Sequence, residues 1–245
     1  CLVEQVKILM DEAEANNLEL KVKQANWDRW ERCSLCEQKY HGVVLCALGW
    51  ACWKTYVGRP ETDWARRLAM NQLGNGLGIA GHHEDALSVR EADLVMRLRI
   101  GAPERCLLLA QSNLASTYDA LGRHQDSLRM SRDAYSGFVR LLGEEDGKTL
   151  LVANNYVSSL IRLERFEEAK ALLRKMMPVA RRVLGESHHS TLKMRWNYAE
   201  ALYKDASSTL DDLREAVNML EELERAAWRV FGRAHPFVAA FEACT

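Results

Sequence analysis

Apolar positions recur along this chain at intervals of three and four, the spacing of one face of an α-helix. Near the start, Leu2, Val3, Val6, Leu9 and Met10 fall on one such stripe, which Asn16-Asn17 is placed to stop. Further on, the pattern is written twice. A shift of 42 residues sets Leu109 on Leu151, Asn113 on Asn155, Ser116 on Ser158 and Arg132 on Arg174. The same shift sets Arg140 on Arg182, Leu142-Gly143-Glu144 on Leu184-Gly185-Glu186, and Thr149-Leu150 on Thr191-Leu192. A fixed period of this size marks stacked repeats, each a pair of amphipathic helices whose apolar faces close only against neighbouring pairs. Gly143 and Gly185 follow the second helices, where a C-cap asks for left-handed backbone.

The same unit accounts for most of the chain. Predicted repeats run over 67–101, 109–143, 151–185 and 193–232, and His235-Pro236 opens a further helix over 236–245. The last full unit is five residues longer, and the polar run Asp205-Ala206-Ser207-Ser208-Thr209 is the natural place for the extra loop. Beyond it Ala216, Leu220 and Leu223 resume the core stripe. Residues 1–58 read as a separate N-terminal segment and 59–245 as the repeat array. Five of the seven tryptophans lie before residue 65, yet Tyr40 precedes Gly58 by 18 residues just as His83 precedes Gly101. A divergent helix pair over 28–58, filled with aromatics as a capping repeat, is therefore expected. Gly74, Gly76 and Gly78 make the first helix of the 67–101 unit intrinsically weak, the softest element expected.

Composition adds constraints. Lys+Arg 33 against Asp+Glu 34 gives a net charge of -1, with no general attraction to nucleic acid or anionic membrane. The longest uncharged apolar run, Val43 to Trp53, is about half of what a membrane span needs. Seven irregularly spaced cysteines fit a reducing, cytoplasmic setting better than a disulfide framework. The chain begins at Cys1 and ends just as a helix starts, which reads as a piece of something longer.

Three motifs carry a family resemblance: Asn113-Leu114-Ala115-x-x-Tyr118-x-x-Leu121-Gly122, Phe166-Glu167-Glu168-Ala169, and Leu184-Gly185-Glu186-Ser187-His188. They resemble tetratricopeptide repeats, and the 42-residue period with Gly232 to Pro236 resembles the kinesin light chain variety. The resemblance covers roughly residues 64 to 240. It implies an all-α chain: a right-handed α-solenoid of tandem helix-turn-helix repeats whose first helices line a concave, peptide-receiving groove. No heptad segment of the kind that ties a light chain to its motor is present, and only one inter-repeat turn carries the full His-Pro.

On that alignment the groove residues are Asn71 and Asn75; Asn113 and Ser116; Asn154, Asn155 and Ser158; then Lys193, Trp196 and Asn197, with Arg162 and Lys204 further along. Asparagine is a poor helix-interior residue, so its recurrence at Asn113, Asn155 and Asn197 needs a reason. Either the amides contact the backbone of an extended peptide, or they bridge one helix to the next. The three cations favour an acidic peptide. The expected function is a protein-interaction scaffold; the rival is a structural spacer or self-assembly module in a longer chain.

Other chemistry is thin. Cys33-Ser34-Leu35-Cys36, with His41, Cys46 and Cys52 downstream, could supply zinc ligands, but the spacing matches no tetrahedral pattern. Cys33 and Cys36 are expected near the end of one helix, Cys46 and Cys52 on its partner, so that no full ligand set converges. A redox Cys-x-x-Cys lacks the strand that normally precedes it. His82-His83 and His188-His189 read as turn residues. No nucleophile, phosphate loop or carboxylate pair emerges, and neither catalysis, cofactor nor metal is expected.

Overall fold

The computed structural model describes residues 2–231, and the expected Gly232-to-Pro236 turn and the helix over 236–245 lie outside the described residues. Among the described residues the chain is all-α: eleven α-helices joined by short turns, with no strand beyond one isolated bridge. It is of the α-solenoid class. Two compact units are present, residues 1–102 and 103–245.

In the first unit, α1 (Leu2–Ala15) buries Val6, Met10 and Ala13 and stops where Asn17 turns to φ 46. There the Leu18 N–H reaches back to the Ala13 carbonyl at 2.9 Å, closing the helix end. α2 (Leu20–Trp27) runs into a single 3-10 turn, Asp28–Trp30. Here the structure departs from the expected helix pair over 28–58. Residues 31–41 form a tight loop pinned by a bridge between Arg32 and Lys39, and α3 follows at Gly42–Tyr56. The loop has no apolar stripe to bury, since its Leu35 is 93% exposed. The aromatic excess is used all the same. Trp27, Trp30 and Tyr56 are buried together, with Trp27 5.3 Å from the Tyr56 ring and 5.4 Å from Trp64.

The partner of α3 is α4 (Trp64–Ile79), which Asp63 caps by accepting from the Ala65 N–H at 2.7 Å. Their seam packs Cys46, Leu48, Cys52 and Tyr56 of α3 with Ala65, Ala69, Leu73 and Leu77 of α4, and at two glycines it brings backbone close to backbone. A Cβ on Gly49 would stand 3.0 Å from the Gln72 carbonyl oxygen, and one on Gly76 would stand 2.9 Å from the Leu45 oxygen and the Cys46 Cα. Gly76, which weakens α4 in isolation, thus allows a close approach to α3 that a side chain would block, while Gly74 and Gly78 face Arg90 on the next helix. α5 (His83–Arg99) then packs on α4.

The second unit holds the periodic helices: α6 (Glu104–Ala120), α7 (His124–Leu142), α8 (Gly147–Arg162), α9 (Phe166–Leu184), α10 (His189–Lys204) and α11 (Leu210–Phe231). Each packs on the next, and the first helices α6, α8 and α10 also touch in sequence. One core runs through five of these helices, from Leu128 on α7 and Leu150 and Val157 on α8 through Leu173 and Met176 on α9 to Tyr198 and Leu202 on α10 and Ala216 on α11. Ala169 and Ala216 are buried, and Leu223 is fully buried while Leu220 is partly so. The extra loop lies at 205–209. There Asp205 accepts from the buried Lys170 ammonium at 2.7 Å, which holds the Asp205 carboxyl far below the usual carboxylate range.

The periodic threonines tie pair to pair. Thr149 donates to the Phe138 carbonyl at 3.5 Å and Thr191 to the Ala180 carbonyl at 3.4 Å, donor and acceptor both advancing by one period. Gly143 and Gly185 have positive φ as expected, but not the left-handed helical conformation. At φ 80, ψ 173 and φ 96, ψ 157 they occupy a region open essentially to glycine alone. The left-handed residue instead closes the first helices α6 and α8, as Gly122 at φ 75 and Glu164 at φ 56 in the equivalent place, whereas α10 ends at Asp205 with φ -72.

Two expected outcomes follow from these backbones. Gly76→Ala should lower stability by about 1–3 kcal/mol, although Ala is the better helix former, while Gly78→Ala, with nothing nearer than 4.0 Å, should be neutral or slightly stabilising. Chemical denaturation separates the two, and equal effects would mean α3 and α4 do not meet this closely. Glu164→Gly should add about 1 kcal/mol by relieving the left-handed strain that Gly122 avoids, read as a raised denaturation midpoint with unchanged slope.

Candidate functional site

α6, α8 and α10 lie side by side in the second unit, and the asparagines explain part of how. The Asn155 amide donates to the Ser112 hydroxyl at 2.9 Å, and the Asn197 amide, one period on, donates to the Asn154 side-chain Oδ1 at 3.5 Å. Asn154 is itself buried, donating to the Ser190 carbonyl at 3.0 Å. The amides therefore bridge consecutive first helices. An Asn side chain has two N–H donors and one acceptor, so Asn155 keeps hydrogen-bonding capacity beyond its bridge.

Beside these bridges is a cleft of about 410 Å³. Seven of the groove residues expected from the sequence line it: Ser116, Asn155, Ser158, Arg162, Lys193, Trp196 and Asn197. The others are elsewhere. Asn113 is half-buried on α6 and engaged there, Asn154 is in the interior, and the exposed Lys204 pairs with Glu200 at 2.6 Å. Asn71 and Asn75 belong to the first unit, where the Asn75 oxygen accepts from Arg90 at 3.1 Å.

Asp119, Ser127, Ser159, Ile161, His189 and Glu200 also line the cleft and were not anticipated. Ser127 comes from the second helix α7 and bonds Ser159 at 2.8 Å, so a search confined to first helices could not reach it. Asp119 and His189 sit at a helix end and a turn, where polar residues look like surface. The sequence does offer a signal for Asp119: five residues separate it from His124, whose Nδ1 lies 2.9 Å from the Asp119 carboxylate across the turn.

The charges of the cleft are unevenly matched. Asp119 faces His124 and, at 3.7 Å, Arg162; Glu200 faces Lys204. Lys193 makes no direct ion pair among the described residues. Burial pushes its ammonium below the ordinary 10.5, and the field of Asp119 offsets this only in part. The cleft therefore holds a desolvated cation without a contacting carboxylate.

The cysteines lie apart. Cys46 and Cys52 are buried on α3, and Cys33 and Cys36 stand on the loop, not on a helix end as the sequence suggests. Among the described residues no group of three or more His, Cys, Asp or Glu side chains is placed to hold a metal ion. His188 caps α10, its Nδ1 accepting from the Ser190 N–H at 3.1 Å, a turn role as expected. No helix among the described residues is long and apolar enough to cross a membrane.

Comparison with known proteins rests on this geometry. The tetratricopeptide repeat family model matches residues 107–146 and 149–190, which cover α6 to α9 and their turns. These are tetratricopeptide repeats. Solved structures extend the likeness in fold. Two crystal structures of Podosopora anserina kinesin light chain TPR-like repeats, the first of them a point variant, match at TM-scores of 0.55 and 0.53. Both are 17% identical, and they cover 93% and 94% of this chain and 95% and 96% of theirs. BtubC (BKLC) from P. vanneervenii matches at TM-score 0.57 and 16% identity, over 98% of this chain and 78% of its own. No curated protein matches by sequence. The matched stretch is thus made of tetratricopeptide repeats, the chain as a whole is kinesin light chain-like in its fold, and such repeats suggest a protein-interaction scaffold.

The half-buried cation of the repeat cleft gives a measurable sign. A lysine whose folded pKa lies below its unfolded value costs stability while protonated, and that cost disappears as pH rises through the interval beneath 10.5. Lys193→Met should raise the melting temperature at neutral pH and flatten its rise toward alkaline pH. A lowered melting temperature at every pH would show that the ammonium is stabilising.

Proposed function

We propose that the second unit is an interaction scaffold whose cleft receives an extended, acidic segment of a partner protein. The observation that carries this is the placement of Lys193: a desolvated ammonium beside Arg162, in a cleft whose own carboxylates already face other cations. A carboxylate from a ligand would supply the contact the protein itself does not, in surroundings where a charge-assisted bond is worth more than at an open surface. Asn155 and Ser158 offer donors and acceptors suited to peptide backbone, and Trp196 offers a flat apolar wall. Free described cysteines accord with a reducing, cytoplasmic setting. The reading involves no catalysis and no cofactor.

A peptide array probed with the purified chain tests the proposal. Acidic peptides should be selected, and Arg162→Glu combined with Lys193→Met should weaken their binding by about 2–5 kcal/mol, mainly through faster dissociation. The double variant should keep its helical circular dichroism. An array with no preferred sequence would support a spacer, and binding untouched by the double variant would place the ligand elsewhere.

A further inference from the structure

The loop between the 3-10 turn and α3 is built more tightly than a connector requires. Its ends are joined by the Arg32–Lys39 bridge, by the Cys33 N–H to the Gln38 carbonyl at 2.9 Å, and by the Tyr40 N–H to the Glu31 carbonyl at 2.8 Å. Within it the Glu37 N–H returns to the Cys33 carbonyl at 3.0 Å, with Glu37 itself at φ 56. This folding turns the backbone N–H groups of Leu35 and Cys36 toward the Cys33 sulfur, and brings the Cys36 thiol and the Tyr40 hydroxyl to it as well. The two backbone N–H groups and the Tyr40 hydroxyl are placed as donors toward this sulfur. Such donors favour the thiolate, and the Cys33 pKa is lowered accordingly, led by the Cys36 N–H. The pair is reachable: Cys36 is exposed and Cys33 partly so. The other described thiols contrast with it. Cys46 and Cys52 are buried, Cys52 being pushed far up by that burial, and Cys106 stands without a neighbouring cysteine on α6.

We propose that Cys33 and Cys36 form a thiol-modification site, which a small-molecule disulfide of the glutathione class oxidises to a disulfide within the loop. Cys33 attacks as thiolate: its sulfur bonds to one sulfur of the disulfide, the S–S bond breaks, and one thiolate leaves. Cys36 then attacks the Cys33 sulfur, losing its proton to solvent or to the departing thiolate, and the second thiolate leaves. Two cysteines are oxidised and one disulfide is reduced to two thiols, so electrons and atoms balance. Two sulfurs three residues apart, with no third ligand placed beside them, leave a zinc ion short of its tetrahedral set.

The test needs only the full chain, glutathione buffers of stepped ratio, and peptide mapping after alkylation. In the reduced native protein, Cys33 should alkylate several-fold faster than Cys106 at neutral pH. Oxidising buffer should produce a Cys33–Cys36 disulfide, and Cys36→Ser should instead accumulate a glutathione adduct on Cys33. Cys33→Ser should form neither product faster than Cys106 does. Circular dichroism of each variant, and the alkylation of unmutated protein, keep the outcome independent of folding defects. Cys33 reacting no faster than Cys106, no disulfide within the loop, or one equivalent of zinc on the purified pair would each overturn the proposal.

Discussion

No helix pair in this chain can bury its apolar surface alone, and the rest of the structure follows from that constraint. Leu150 and Val157 on α8 need Leu173 and Met176 on α9, and these in turn need Tyr198 and Leu202 on α10. Stability accrues between neighbours, as in any one-dimensional stack. Close approach decides how well the surfaces meet, so buried alanines recur where helices cross: Ala153, Ala169, Ala180, Ala199 and Ala216. The polar bonds between successive pairs, through Thr149 and Thr191 and through Asn155 and Asn197, set the register in which that apolar surface closes.

The same register creates the cleft. Because bridging amides hold α6, α8 and α10 side by side, side chains one turn apart on each helix come to face a shared space. Lys193 then sits partly shielded from water, and in the proposed reading it serves recognition at some expense to the fold. Such a conflict between stability and use is expected at binding sites, where a sequence optimised only for packing would carry an apolar residue.

How much of this was legible beforehand depends on whether a signal repeats. The period-42 coincidences identified the helices, their turns and the stacking, since every unit repeats the same physical problem. They also identified most of the cleft, because Asn155 and Asn197 are improbable mid-helix residues. They could not say which of two jobs the amides perform, and Asn154, one residue away, proved to be interior. Where the chain stops repeating, spacing misled. The 18-residue interval from Tyr40 to Gly58 matched a repeat, but residues 31–41 lack the apolar stripe that would make a helix worth forming, so backbone hydrogen bonds within a loop prevail there. Gly143 and Gly185 show a finer limit: a glycine announces an unusual backbone without saying which.

The seam between α3 and α4 has a mechanical implication. Most helix contacts are cushioned by side chains that can change rotamer, so the helices shift by fractions of an ångström as their surroundings change. At Gly49 and Gly76 backbone meets backbone, and no rotamer exists to absorb a displacement. At these two points the pair resists sliding more than a contact made through side chains alone would. Strain reaching the first unit must be taken up at its turns, or by parting α3 from α4 altogether, because sliding one along the other would drive carbonyl oxygens into Cα atoms.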